Sequence, residues 1–213
     1  MTRRPWMALA LIALLASGCL GQSQPEKTRY LLDMAPTMIL DPGDRGRVQI
    51  ARLRVDRPFE RKGLVYRVSE DRYVADFYHE FYSTPGDLIR TALEEWFERS
   101  GLFTHVVGPS EAIRPDWRVE GYVHDLYADF SRPGRQTAVV EIDFAVLDAH
   151  SVQLDMAFSK SYRSIAALRD RQPASVAHGL RDALHQVFKS LNEDLREALP
   201  AVEGAGAAKE GKK

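Results

Sequence analysis

An α+β fold is predicted, one mostly antiparallel or mixed sheet backed by two helices, and three observations carry it. Two stretches repeat their apolar residues every three to four positions, one opening at Pro85 and the other at Pro173. Several more alternate apolar with polar, the period of a half-buried strand, most clearly over residues 137–147. The helices are separated by runs of these strands, as in one sheet with helices on it.

Each element follows from its residues in order. Tyr30-Leu31-Leu32-Asp33 reads as a short strand ended by Pro36, and Asp41-Pro42-Gly43-Asp44 has turn chemistry. Val48 and Ile50, then Leu53 and Val55, alternate out of phase, which predicts a bulged strand ending at Asp56-Arg57-Pro58. Residues 64–69 and 72–82 are the next two strands. Alternation on the second places Tyr73, Ala75, Phe77, His79 and Phe81 on one face. Val74, Asp76, Tyr78, Glu80 and Tyr82 fall on the other.

Thr84-Pro85-Gly86-Asp87 then starts a helix, with Thr84 at the cap, Pro85 at the first helical position and Asp87 completing a capping-box variant. Its stripe is Leu88, Ile89, Ala92, Leu93, Trp96 and Phe97, and Gly101 stops it. A strand over 103–107 and a loop over 109–115 follow.

Residues 117–130 read as a strand, and Ser131-Arg132-Pro133-Gly134-Arg135 as a turn. The strand over 137–147 puts Val140, Ile142, Phe144 and Val146 on one face and Glu141 and Asp143 on the other. After a turn at Asp148-Ala149-His150-Ser151, Val152, Leu154, Met156 and Phe158 are expected to return on the inner face. This is an antiparallel meander with one wet side. The second helix runs from Pro173 to about residue 199, with a stripe of Val176, Leu180, Ala183, Leu184, Val187, Phe188, Leu191 and Leu195. About 25 helical residues span roughly 38 Å, enough to lie across a sheet. Residues 201–213, mostly Gly, Ala and Lys, offer little to bury and are expected to be disordered.

The amino terminus carries a different signal. Arg3 and Arg4 precede an apolar run over residues 6–15, and Ala16, Ser17 and Gly18 are the small residues of a cleavage site. The run is shorter than the roughly 20 residues a spanning helix needs. Cys19, the one cysteine of the chain, stands at the cut. The arrangement resembles a bacterial lipobox, with Ala16 at position −3, and implies a diacylglycerol and an N-acyl chain on Cys19. Export and a lipid anchor are therefore expected. Leu20 stands where an inner-membrane retention signal would carry aspartate, which points to the outer membrane, periplasmic side, over the inner membrane.

The chain thus divides into a signal peptide (1–18), an anchored tether (19–28), one domain (29–199) and a tail (200–213). Cleavage leaves roughly 195 residues, enough for a single sizeable core. No second cysteine offers a disulfide, so stability must come from burial. A net charge of −1 and a pI of about 6.6 supply no basic field for nucleic acid.

Catalytic chemistry is not legible. The six histidines are scattered, and no zinc-ligand spacing, nucleophile elbow or Gly-rich phosphate loop is present. His178 and His185 lie two helical turns apart, too far to hold one metal alone. His124-Asp125 could orient a base, and Glu141 and Asp143 could pair, but no nucleophile accompanies them; meander alternation accounts for the acids. No enzyme, metal or cofactor beyond the lipid is expected. The aromatic strand 72–82 carries rings on both predicted faces, which fits either core packing or a surface for a partner or lipid.

The ordered set of a lipobox, Tyr30-Leu31-Leu32, Val48-Gln49-Ile50 onward to Val55, Gly63-Leu64-Val65-Tyr66-Arg67, the aromatic strand ending at Tyr82 and a helix opening at Pro85 resembles the ABC-type transport auxiliary lipoproteins, the group of the paraquat-inducible (PqiC/YmbA-like) lipoprotein. The resemblance covers residues 30–195. Tyr82 occupies a position where that family usually has tryptophan. The resemblance implies a non-catalytic role beside an Mce-type ABC system moving lipids or hydrophobic molecules between inner and outer membranes, with an Mce-domain protein as the expected partner; another copy of the chain is the alternative contact. Tyr66, Arg67, Tyr78 and Tyr82 are the candidate contact residues, because Arg and Tyr are enriched at interface hot spots and strand edges can accept a partner's segment. Two other readings stay open: a periplasmic carrier with its own lipid cavity, and an envelope-assembly lipoprotein without a transporter.

Overall fold

The computed structural model describes residues 26–32, 34 and 44–202. The signal segment, Cys19, Leu20, the predicted turn at 41–43 and the tail beyond Val202 lie outside the described residues. Among those described, nine strands form one mixed sheet: β1 (Thr28–Tyr30), β2 (Arg47–Ile50), β3 (Arg54–Val55), β4 (Gly63–Arg67), β5 (Tyr73–Phe81), β6 (His105–Val106), β7 (Trp117–Asp129), β8 (Thr137–Asp148) and β9 (Met156–Ala167). Two helices, α1 (Pro85–Ser100) and α2 (Pro173–Ala198), complete an α+β fold.

Strand β7 organises the sheet. One of its edges pairs antiparallel with β8 along its whole length, and β9 continues the meander. Three short parallel strands share its other edge in turn: β2 opposite 117–119, β3 opposite 122–123, and β4 opposite 128–129. The out-of-phase pairs at 48/50 and 53/55 therefore belong to two separate strands, not to one bulged strand. Leu53 turns inward to 3% exposure between them, and the chain leaves β7 and rejoins it around that side chain. Beyond β4, β5 folds back antiparallel and β1 adds to β5 in parallel as the sheet's edge.

Both helices pack on one face. Ile89, Leu93 and Phe97 of α1, with Val176, Leu180, Leu184, Val187, Phe188 and Leu191 of α2, are buried against Val119, Val123, Ile142, Phe144 and Val146. Each such side chain contributes roughly 1.5–3 kcal/mol by leaving water. α1 ends where expected, because Gly101 takes the left-handed conformation (φ +68°) that closes a helix cheaply only without a Cβ. Its start differs from expectation. The Thr84 hydroxyl donates to Asp87 Oδ2 at 2.5 Å and caps no backbone amide, so the box closes between side chains.

The return from β8 is also corrected. Val152 is fully exposed, Leu154 and Met156 largely so, and β9 begins only at Met156. Tyr162 and Lys160 both donate to Asp194 near the end of α2, at 2.5 and 2.7 Å, so β9 meets the last turns of the helix here and the residues ahead of Phe158 lie exposed beyond it. Phe158 is the first of the predicted four to be half-buried.

The start of the sheet is fastened by Asp116, which sits just before β7. Its carboxylate accepts the Arg47 amide (2.7 Å), Nε (3.0 Å) and Nη2 (2.9 Å) and lies 2.8 Å from His150 Nε2. The Arg47 guanidinium holds this carboxyl well below the usual carboxylate range, against the opposing effect of burial. One carboxylate thus ties β2, β7 and the β8–β9 turn.

Candidate functional site

The aromatic strand does not keep its alternation. Across the β4–β5 pair the register moves from Gly63 opposite Glu80 to Val65 opposite Ala75, so residues 76–79 of β5 bulge out opposite Leu64. Asp76 builds the bulge. Its Oδ1 accepts the amides of Tyr78 (2.8 Å) and His79 (3.0 Å), and its Oδ2 accepts the Tyr66 hydroxyl at 2.7 Å with His79 Nδ1 3.0 Å away. An aspartate bonding to the backbone just ahead of it offers the chain a turn in place of a ladder. Gly63 permits the close approach: a Cβ there would lie 2.6 Å from the Asp76 carbonyl oxygen. Burial works against charge on Asp76, yet the Tyr66 hydroxyl and the two amides hold its carboxyl below the ordinary range. Burial first, and Asp76 second, push the Tyr66 phenol up.

The bulge aims two adjacent rings at solvent. Phe77 is 70% exposed and Tyr78 42%, and the rings meet edge to face at 5.2 Å between centroids. Lys27, just before β1, places Nζ 4.7 Å over the Phe77 ring and also pairs with Glu80 at 3.0 Å. At the far end of β5, Phe81 is buried while Tyr82 and Leu31 are exposed. Tyr73 lies on the sheet surface with its ring edge-on to Tyr127 at 5.3 Å.

The four sequence candidates therefore divide. Tyr66 is half-buried, holds Asp76 and stacks on Phe130 at 5.5 Å. Arg67 donates through Nε and Nη2 to the Glu70 carbonyl and pairs with Asp129 at 3.6 Å. Both fasten the sheet. Tyr78 and Tyr82 are presented to solvent. Phe77 and Lys27 complete the surface and were missed, since strict alternation assigned Phe77 to the face of buried Phe81. The signal available in the sequence was Asp76, a poor strand residue inside an aromatic run. Cys19 lies outside the described residues.

The sheet face opposite the helices bears a shallow groove of about 480 Å³, lined by Arg52, Arg54, Arg118, Glu120, Tyr122, His124 and Asp143 among others. Several of its charged groups are engaged with one another or with a ring. Arg118 pairs with Glu120 at 3.1 Å, Tyr122 donates to Asp56, and Arg54 lies over the Tyr122 ring at 5.2 Å. His124 meets Asp143 at 2.7 Å, not its neighbour Asp125, which pairs instead with Arg163 at 2.8 Å together with Glu141. This face is solvent-exposed, as expected, and carries several ion pairs. No three metal-ligating side chains converge among the described residues.

A Xanthomonas campestris protein of the DUF330 family has a similar structure, with a TM-score of 0.67 at 18% identity over 80% of this chain and 96% of its own. An uncharacterized protein follows at a TM-score of 0.60 and 11% identity, over 76% of this chain and 99% of its own. A lipoprotein from Neisseria meningitidis aligns over 68% of this chain and 99% of its own at 10% identity, but a TM-score of 0.35 is too low to argue from. The first two share this fold, and at such identities they show the fold alone. No protein-family model and no curated protein matches the sequence.

Proposed function

We propose that this chain is a lipid-anchored periplasmic protein that serves, without catalysis, as an auxiliary part of an Mce-type ABC system moving lipids or other hydrophobic molecules between the two membranes. The observation that carries the reading is the agreement of two likenesses. The ordered sequence features resemble the auxiliary lipoproteins, and the fold is similar over 80% of the chain to a DUF330 protein, the corresponding family at the level of structure. Acylation of Cys19, an outer-membrane location and an Mce-domain partner belong to this reading. The carrier alternative would need an apolar cavity between sheet and helices. The groove of about 480 Å³ lies instead on the opposite face, and charged side chains, among them the Arg118–Glu120 and His124–Asp143 pairs, make up much of its lining, which favours a binding part over a lipid container.

The test is affinity purification of the acylated, full-length mature protein from its own envelope, with mass spectrometry of both protein and lipid. Recovery of an Mce-domain protein in stoichiometric amount supports the auxiliary role. Recovery of the protein alone with one equivalent of bound lipid would overturn it in favour of the carrier.

A further inference from the structure

We propose that the Phe77–Tyr78 bulge docks into the interface of the bilayer that holds the chain's own anchor. This rests on the reading that Cys19 is acylated, and it assigns to the anchored domain a fixed contact with the membrane in place of a free leash.

The tether is short, and it ends at the bulge. Only seven residues lie between Cys19 and Lys27, eight Cα-to-Cα steps that span at most about 29 Å and, as a flexible coil, roughly 14–17 Å. Lys27 does not enter the domain at an arbitrary place. Its Nζ lies over the Phe77 ring at 4.7 Å, and β1 begins beside the bulge, with Thr28 opposite His79. The tether therefore delivers this patch, ahead of any other part of the domain, to the surface in which the acyl chains insert.

The chemistry of the patch suits that surface. An exposed phenylalanine beside a tyrosine, under a lysine, combines an apolar body with polar tips, the combination that settles at the headgroup boundary, where aromatic rings and snorkelling lysines are enriched. Lys62, which donates to the Tyr82 carbonyl at 3.1 Å, adds a second cation at the far end of β5. The patch is also rigid. Four contacts to Asp76 and the absence of a Cβ at Gly63 fix the bulge, so presenting the two rings costs little further ordering on contact.

The experiment uses Cys19 itself. Once acylated, it leaves no free thiol, so Tyr78→Cys in the full mature protein creates a single site for a nitroxide label. The protein is reconstituted in vesicles of phosphatidylethanolamine and phosphatidylglycerol, and the label's accessibility to oxygen and to a water-soluble nickel chelate is measured. A label at Ser190→Cys, on the exposed side of α2, is the aqueous reference. At position 78, nickel accessibility should fall severalfold relative to detergent solution while oxygen accessibility rises. Adding Phe77→Asp, a change at an exposed side chain, should return the label to aqueous values. A vesicle-bound protein whose label at 78 is as aqueous as that at 190 would overturn the docking while leaving the anchor intact. So would protection at 78 that requires a co-purified protein. An unmodified Cys19 with no vesicle binding would instead remove the anchor reading and the docking with it.

Discussion

Replacing Asp116 by asparagine is the most quantitative probe of how this sheet is fastened. The side chain is 7% exposed and takes three hydrogen bonds from Arg47, with His150 at 2.8 Å. The amide would keep the shape but not the charge. Hydrogen bonds to charged groups contribute about 1.5–3 kcal/mol and neutral ones about 0.5–1.5. Water can replace part of the Arg47 contact, since that side chain is 39% exposed, so the expected loss near neutral pH is discounted to about 2–3 kcal/mol. For a domain of this size each kcal/mol moves Tm by roughly 2–4 °C, giving a fall of roughly 4–12 °C. The pH dependence has a definite sign. Arg47 depresses the folded pKa, so the contribution is complete above the unfolded value of about 3.9 and fades as pH drops below it toward the folded pKa. Urea midpoints of wild type and variant, measured from pH 7 to pH 3 by circular dichroism, should differ by a constant amount down to about pH 5 and converge below pH 4. No difference at pH 7, or a gap that widens on acidification, would refute the role given to this carboxylate.

Gly63→Ala should destabilise by about 1–3 kcal/mol, because its Cβ meets a backbone oxygen that cannot step aside; an unchanged Tm would contradict the observed bulge. His124 should titrate above its ordinary pKa, chiefly through its hydrogen bond to Asp143, with Asp56 and Glu141 also facing it. That pair's stabilisation is complete below the unfolded pKa and lost as pH rises through the folded one, and NMR titration of Asp143→Asn should show the value falling. Leu184→Asp should cost about 4 kcal/mol or more and prevent folding, whereas Val152→Asp, on the exposed return from β8, should change stability by no more than about 0.5 kcal/mol; comparable effects would contradict the core assignment.

Both helices were legible because their signals are local. The 3.6-residue stripe, Pro85 and Pro173 at the starts and Gly101 at the end depend on few distant contacts. The meander was legible for the same reason, since 137–147 alternates and its partners are adjacent in sequence. What escaped the sequence depends on remote neighbours. Whether 48–55 is one strand or two is decided by where β7, some 65 residues later, lends its edge. The exposure of Met156 reflects how far α2 reaches, a property of another element. The bulge combines both kinds of information: Asp76 is local, but its freedom to fold back depends on Gly63 across the strand pair and on the Tyr66 hydroxyl. Alternation was a sound guide until a side chain competed with the ladder.

That competition also separates the residues that hold the aromatic edge from those that present it. Arg67 is bound twice to the Glu70 carbonyl and lies 3.6 Å from Asp129, whose carboxyl is held below the ordinary range by Ser131 and by Arg67 and Arg132 despite burial. Arg67→Glu would set a second carboxylate against Asp129 and release the Glu70 turn, so a lower Tm is expected together with any loss of binding. Tyr82 is 61% exposed and engages the fold through its backbone, donating its amide to the Tyr30 carbonyl. Tyr82→Ala keeps that bond and should leave Tm nearly unchanged. Thermal melts of the two variants, read beside vesicle and Mce-protein binding, therefore distinguish support from contact. A stable Arg67→Glu with binding lost would return Arg67 to the contact surface; a Tyr82→Ala that melts early would move Tyr82 into the framework.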